Sequence, residues 1–556
     1  MRSPGRLCLI LAAVTCALAF PAGASAAVTL TNFSVTPSTT QAGGHPDLRI
    51  STSFTANPSD DDVRDVTVRL AKGLVGNPKA TPKCPVAAFN ADTCPANTAV
   101  GSVAVTADAT VLLATSTVTS NGTVYNLPPV GSEPARLGIK VRPDPIGPVN
   151  IRPISLIGVA KLGPETGYAL ETTFPNQPRQ ADSDAGPVPL AVRRIDLTLK
   201  GQPGATPFTI NPSSCALATS TATAVSYDAP QTPSSRSASF TPTGCGALRF
   251  APAISGTIGA KGANRKGQLV PLTTVFDFPA NGSSLKDSVV TLPKGVAPQL
   301  QALSKGCPAT TPIAQCPASA TVGSATASSP LLDAPLKGPV VLQASATEPL
   351  PKLVVRLFGA VPLTLEGVST QAGTQLRNSF PNAPDVPLSR FALTLNGGKK
   401  GLLEAPGDLC AKTRRTIASF VLVGHNGTRV AKNVTLKPGG CKGYRPAKPK
   451  VAANLRKGAL KLRLTRTGDA RLKTITVKPP KGFAFRKVAG KANGKFTSLS
   501  RKGGVVRARL RGKGVTRLTL STKLVRRVAR GHRIALRVVA TDSYGKTRRT
   551  LRVRGR

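Results

Sequence analysis

The chain has 556 residues, too many for one hydrophobic core, so several domains are expected. A hydrophobic fraction of 40% is enough to fold, while 52 Gly and 50 Pro imply many turns and few long helices. With no Trp and 4% aromatic residues, stacking platforms for sugars or single-stranded bases are disfavoured, and a net charge of +49 points to anionic partners.

Residues 1–26 read as a secretory signal. Arg2 and Arg6 precede an apolar run at 7–20, and Ala24-Ser25-Ala26 offers small residues for cleavage. The run is shorter than the ~20 apolar residues of a membrane span. No later segment is apolar enough to cross a membrane, and the terminal Arg-Val-Arg-Gly-Arg holds no sorting signal. The expectation is a protein that is secreted or sits on the extracellular face of the envelope.

Residues 27–247 form a first unit of short alternating Thr, Val and Ser runs bounded by Gly and Pro, the pattern of β-strands. His45 lies in Gly44-His45-Pro46-Asp47-Leu48, at a strand entry. Asp60, Asp61, Asp62 and Asp65 could supply loop oxygens to Ca²⁺. The corresponding Asn281-Gly282-Ser283-Ser284 keeps only Asp287, which favours a solvated acidic loop.

Residues 248–445 repeat this unit. The run from Asp65 to Gly73 returns at Asp287 to Gly295, and Val100-Gly101-Ser102 returns at Val322-Gly323-Ser324, both 222 residues on. Phe174-Pro175-Asn176-Gln177-Pro178 returns as Phe380-Pro381-Asn382-Ala383-Pro384. Arg194-Ile195-Asp196-Leu197-Thr198-Leu199 returns as Arg390-Phe391-Ala392-Leu393-Thr394-Leu395, now at an offset of 196. The second copy is thus shortened by a deletion in its middle. Units this long are tandem domains rather than solenoid repeats.

Cys8 and Cys16 leave with the signal. The other eight cysteines follow the repeat, with Cys84 and Cys94 matching Cys307 and Cys316, and Cys215 and Cys245 matching Cys410 and Cys441. In an exported chain this implies disulfides within each close and each wide pair. Zinc would favour shorter cysteine spacing with histidines nearby. Only His45, His425 and His532 are present, none in a metal or nucleophile motif, and all three read as loop residues.

Residues 446–556 differ in character. From 442 onward there are 36 Lys and Arg against Asp469 and Asp542. Apolar residues still alternate with basic ones: Leu460, Leu462 and Leu464; Val506, Ala508 and Leu510; Ile534, Leu536 and Val538. This places Arg507, Arg509, Arg511, Arg533 and Arg537 outward on a sheet, as candidate contacts for a polyanion. Gly490-Lys491-Ala492-Asn493-Gly494-Lys495 imitates a phosphate loop, but it is one residue short between its glycines and Phe496 replaces the metal-binding hydroxyl, so it reads as a basic hairpin turn. Residues 472–482 echo 285–295, which suggests a diverged relative of the opening half of each repeat.

The Gly-His-Pro-Asp-Leu stretch at 44–48, the Lys-Gly strand exit before a cysteine pair and the Val-Gly-Ser return together resemble uncharacterised secreted repeat proteins of soil actinobacteria. Residues 526–553, with Ala540-Thr541-Asp542-Ser543-Tyr544-Gly545, are similar to a bacterial immunoglobulin-like terminal domain. The resemblance implies fold and export, and it brings no catalytic residue or cofactor. The expected fold is all-β: tandem disulfide-stapled β-sandwich repeats followed by a basic immunoglobulin-like β-sandwich. The expected function is non-catalytic, with no cofactor and no metal. The basic domain would retain the protein on anionic cell-wall polymers or lipid head groups, without sequence-specific nucleic acid binding. The alternative is an exported hydrolase or adhesin with a site between the sandwiches.

Overall fold

A computed structural model describes residues 28–555, apart from 56–60, 112–113, 412–415, 442–447, 467–469, 494, 513, 527 and 543–544. The expected signal peptide at 1–26, Asp60 and Asp469 lie outside the described residues. Among the described residues the α-helices are Val86–Asn90 and Leu300–Leu303, and the fold is otherwise built from β-strands and short turns. Alternation sets the strand faces: in Ala218–Ser226 and Ile417–Gly424 every second side chain is buried.

Each of the first two units is one antiparallel path of strands. In the first it runs Thr29–Pro37, Leu48–Thr55, Val188–Leu199, Ala99–Val111, Ala114–Leu127, Arg136–Arg142, Ile154–Lys161, Glu171–Phe174, Val63–Arg69, Ala218–Ser226, Ser234–Phe240. The second unit repeats this order from Ala253–Ile258 to Arg429–Thr435. The path folds over itself. Leu48 and Ile50 near one end share a core with Val66 and Ala222 near the other, which makes a two-layer sandwich.

The sequence motifs have local physical causes. At Val-Gly-Ser the ladder shifts register, and a Cβ on Gly101 or Gly323 would sit 2.2 Å from the carbonyl oxygen of Thr198 or Thr394 on the facing strand. Only glycine allows that approach. In Phe-Pro-Asn, Asn176 and Asn382 adopt left-handed φ values of 54° and 57°. Their N–H groups donate to Asp65 Oδ1 and Asp287 Oδ1 at 3.0 and 2.9 Å, so the aspartate kept in both copies holds a turn.

The shortening of the second unit differs from a single central deletion. The hairpin Ala99–Val111 and Ala114–Leu127 has strands of 13 and 14 residues, whereas Thr321–Ser328 and Leu336–Gln343 have 8 each. Val188–Leu199 has 12 residues against 6 in Arg390–Leu395. The surplus pieces meet in space, where Ala109, Val149, Ile151, Ala181, Val188 and Leu190 form a small separate core. Separate losses along the chain thus remove one satellite core whole.

The third unit keeps the same scheme with its insertion cut down. The hairpin Lys450–Arg456 and Ala459–Thr465 lies beside Arg517–Leu524 and Phe485–Ala492 in one sheet. The other sheet runs Phe496–Lys502, Val505–Leu510, Leu472–Lys478, Arg533–Asp542, Gly545–Arg554. Leu472–Lys478 corresponds to Val63–Arg69 and Leu285–Thr291. In all three the ladder skips one basic residue near the strand start: Arg64, Lys286 or Lys473. All three strands leave through a type II turn, with Gly73, Gly295 and Gly482 at φ +89°, +80° and +81°. The hairpin turn expected at 490–495 is not formed: Phe485–Ala492 and Phe496–Lys502 lie in different sheets, and Asn493 Oδ1 anchors the end of the first by accepting the N–H groups of Thr516 and Arg517 at 3.1 and 3.0 Å.

The first two units also pack on each other. Ser213 N–H and Oγ both donate to the Asp385 carboxylate, at 2.8 and 2.5 Å, with both residues buried. Tyr168 Oη accepts the Thr364 N–H at 3.2 Å, and Lys83 pairs with Asp333 at 3.1 Å. Leu162 joins the core of the second unit. The core of the third unit is drawn wholly from its own residues, from Leu455 to Val553.

Candidate functional site: a basic sheet face

The covalent frame positions everything else. The disulfides are Cys84–Cys94, Cys215–Cys245, Cys307–Cys316 and Cys410–Cys441, with Cα separations of 5.5, 5.9, 5.4 and 5.5 Å. The close pairs staple a short turn segment to the sandwich: the N–H groups of Cys84 and Cys307 donate to Asn126 and Leu342 carbonyls, both at 2.8 Å. The wide pairs clip the base of each terminal hairpin, since Cys215 and Cys245 bracket Ala218–Ser226 and Ser234–Phe240.

The histidines are separated, and two are engaged more firmly than loop residues need be. His45 Nδ1 lies 3.0 Å from the Thr209 carbonyl and His425 Nε2 lies 2.9 Å from that of Ala383; His532 is exposed. The acidic loop is occupied by the protein itself. Asp62 meets Arg179 at 3.1 Å, Asp65 meets Arg64 at 2.9 Å, and Asp61 Oδ1 accepts the Asp228 N–H at 3.0 Å. Burial raises the Asp62 carboxyl above its ordinary range, against the hydrogen bond and charge of Arg179. Among the described residues no group of His, Cys, Asp or Glu is arranged to hold a metal ion. Buried Lys140 donates to Ser155 Oγ at 2.7 Å and lies over the Phe89 ring, so its ammonium is committed to structure.

The five arginines singled out by alternation are all exposed, while Val506, Ala508, Leu510, Ile534, Leu536 and Val538 are buried beneath them. Register brings four onto one face. Arg507 and Arg509 stand opposite Thr476 and Thr474, and Arg537 stands opposite Lys478 on the same central strand. Arg533 faces Arg554 across the last hairpin. Arg511 follows its strand into the loop, with its N–H on the Lys495 carbonyl. Sequence reasoning missed the partners that widen the face: Lys478, Lys546, Arg548 and Arg552 project to the same side. Their alternation along 546–554 was readable, but which strand lay beside which was not. Asp542 is the one acid among the described residues of this unit, and it points inward and is buried. Like charges directly opposite on neighbouring strands, such as Lys478 with Arg537, oppose folding unless an anion lies over them.

No protein-family model matches the chain, and no curated protein matches it. Several solved structures match part of it. The C-terminal domain of the antigen I/II-family protein AspA of Streptococcus pyogenes is 9% identical, covering 55% of this chain and 99% of that one, with a TM-score of 0.18. The C-terminal domain of the AgI/II polypeptide BspA of Streptococcus agalactiae is 10% identical, covering 54% and 100%, with a TM-score of 0.17. The B domain of a biofilm associated protein is 8% identical, covering 55% and 86%, with a TM-score of 0.17. At these scores no function is carried across from any of them.

Proposed function

We propose that this chain is a non-catalytic exported interaction protein, held on anionic polymers by the outward face of its third unit. The observation that carries the reading is the cationic face of the sheet 472–554, where arginines and lysines oppose one another with no acid between them. Such a face attracts phosphate or carboxylate lattices at long range, and arginine forks suit multivalent contact. The first two units serve as a stapled spacer. Four disulfides support an oxidising, extracytoplasmic setting. No helix among the described residues is long and apolar enough to cross a membrane.

The test is a salt titration of the whole chain on a linear polyanion such as polyphosphate. Binding should fall by about 10³ between low and near-physiological salt, because each neutralised phosphate releases counterions. Replacing Arg507, Arg509 and Arg511 by Gln should lower the slope of log affinity against log salt by about two, at ~0.7 per lost contact on a single-stranded lattice. Affinity that stays flat with salt would overturn the reading and point to a shaped site.

A further inference from the structure

We infer that the seam between the first two units is a binding site for a linear aliphatic chain. A cavity of about 200 Å³ runs from the core of the first unit, across the seam, into the core of the second. Its walls are the same positions used twice: Leu70, Phe174 and Leu199 on one side, and their repeat equivalents Leu292, Phe380 and Leu395 on the other. Leu162, Leu331, Val361 and Val386 line the passage between them. Protein cores normally pack to crystal density, so a void mirrored in both repeats is a built feature rather than a packing fault.

The wall chemistry selects the occupant. Among the described residues no charged side chain lines the cavity. Its amides and its phenol are already engaged with the protein: Asn126 Nδ2 donates to Pro78 and Thr81 carbonyls at 2.8 and 3.1 Å, Asn378 Oδ1 accepts from Ser369 Oγ at 2.8 Å, and Tyr168 Oη accepts from Thr364. Water held there would need two to four polar partners and finds few, whereas dry apolar cavities of about 150 Å³ already take up benzene. The cavity crosses two cores and a seam, so an extended chain fits it better than a compact ring. Half-exposed Pro78, Pro134 and Leu332 give it an edge on solvent. Lys79 and Lys83, tied to Leu332 and Asp333, flank that edge where an acyl head group would emerge.

This inference does not depend on the charged face, and its test uses uncharged probes in high salt to keep the two apart. Straight-chain alcohols of about eight to fourteen carbons are titrated calorimetrically into the whole chain. One saturable site is expected, with affinity rising about fourfold per methylene until the cavity is full. Leu332→Trp at the edge and Val386→Phe in the passage should each cut affinity about fifteenfold, the worth of two methylenes of contact. Leu332 is half-exposed, so its variant should keep the wild-type melting profile. Absence of saturable binding at every chain length, or binding unchanged in both folded variants, would overturn the inference.

Discussion

Asp542 occupies the inward side of a sheet whose outward side is cationic, and its burial has a measurable consequence. Desolvation raises its carboxyl above the ordinary value of 3.8, and a hydrogen bond from the Gly545 N–H only partly opposes this. A raised folded-state value means that the folded chain holds this proton more tightly than the unfolded chain does. Its stabilising contribution is full below about 3.8 and is lost as pH rises through the folded value. Asp542→Asn keeps the hydrogen-bond acceptor but removes the titration. The variant should therefore gain melting temperature relative to wild type as pH rises from about 3.8 through the folded value, and then hold a constant advantage. A difference that does not change across a calorimetric pH series would show that the burial has no energetic cost. At this scale the sequence was informative wherever a motif recurred. Gly101, Asn176 and Gly73 could be picked out by repetition alone. The reasons they recur are a facing carbonyl, an aspartate on a neighbouring strand and a left-handed turn, and these belong to contacts that repetition does not reveal.

At the level of elements, the disulfides do different work in different places. Cys215–Cys245 and Cys410–Cys441 close loops with sequence separations of 30 and 31 and clip hairpins that end each strand path. Cys84–Cys94 and Cys307–Cys316 close separations of 10 and 9 around a short turn segment. Loop-closure entropy makes a wide bridge worth almost 4 kcal/mol and a close one about 3 kcal/mol. Removing a wide pair as Cys215→Ser with Cys245→Ser should also fray Ser234–Phe240, whose outward face is held by hydroxyl pairs such as Thr219 with Ser239 at 2.9 Å. Amide exchange should show that hairpin opening first, while Cys84→Ser with Cys94→Ser should leave it protected. Equal protection loss in both double variants would sink this assignment. The pairing within each copy was legible because two copies with matched spacing constrain it. The crossing at 490–495 was not, because a basic Gly-Asn-Gly turn looks alike whether its flanking strands pair with each other or diverge into separate sheets. The satellite core at Ala109 and Ile151 was hidden for the same reason: its pieces are separate along the chain and meet only after folding.

The whole molecule divides by where its cores join. Ser213 and Asp385 are 172 residues apart, and nothing local marks either as a fastener. The position equivalent to Asp385 in the first unit is Arg179, which serves a different contact with Asp62. The seam they lock was therefore invisible in the sequence, although the alternation that makes each sandwich was plain. The lock should make the first two units unfold together. Calorimetry of the intact chain should then resolve a large transition for residues 28–441 and a separate one for the third unit, whose core shares no residue with the others. Ending the chain after Cys441 should leave the large transition where it was. Asp385→Ala strands the Ser213 N–H and hydroxyl in a buried seam, at a cost of about 3 kcal/mol, because hydrogen bonds to charged groups carry ~1.5–3 kcal/mol each. It should split the large transition into two, one for each repeat, while Asp385→Asn, which keeps one of the two acceptor oxygens, should split it less. Separate melting of the two repeats in the wild-type chain would show that the seam is too weak to couple them. Loss of the large transition on truncation would show instead that the third unit holds the first two in place.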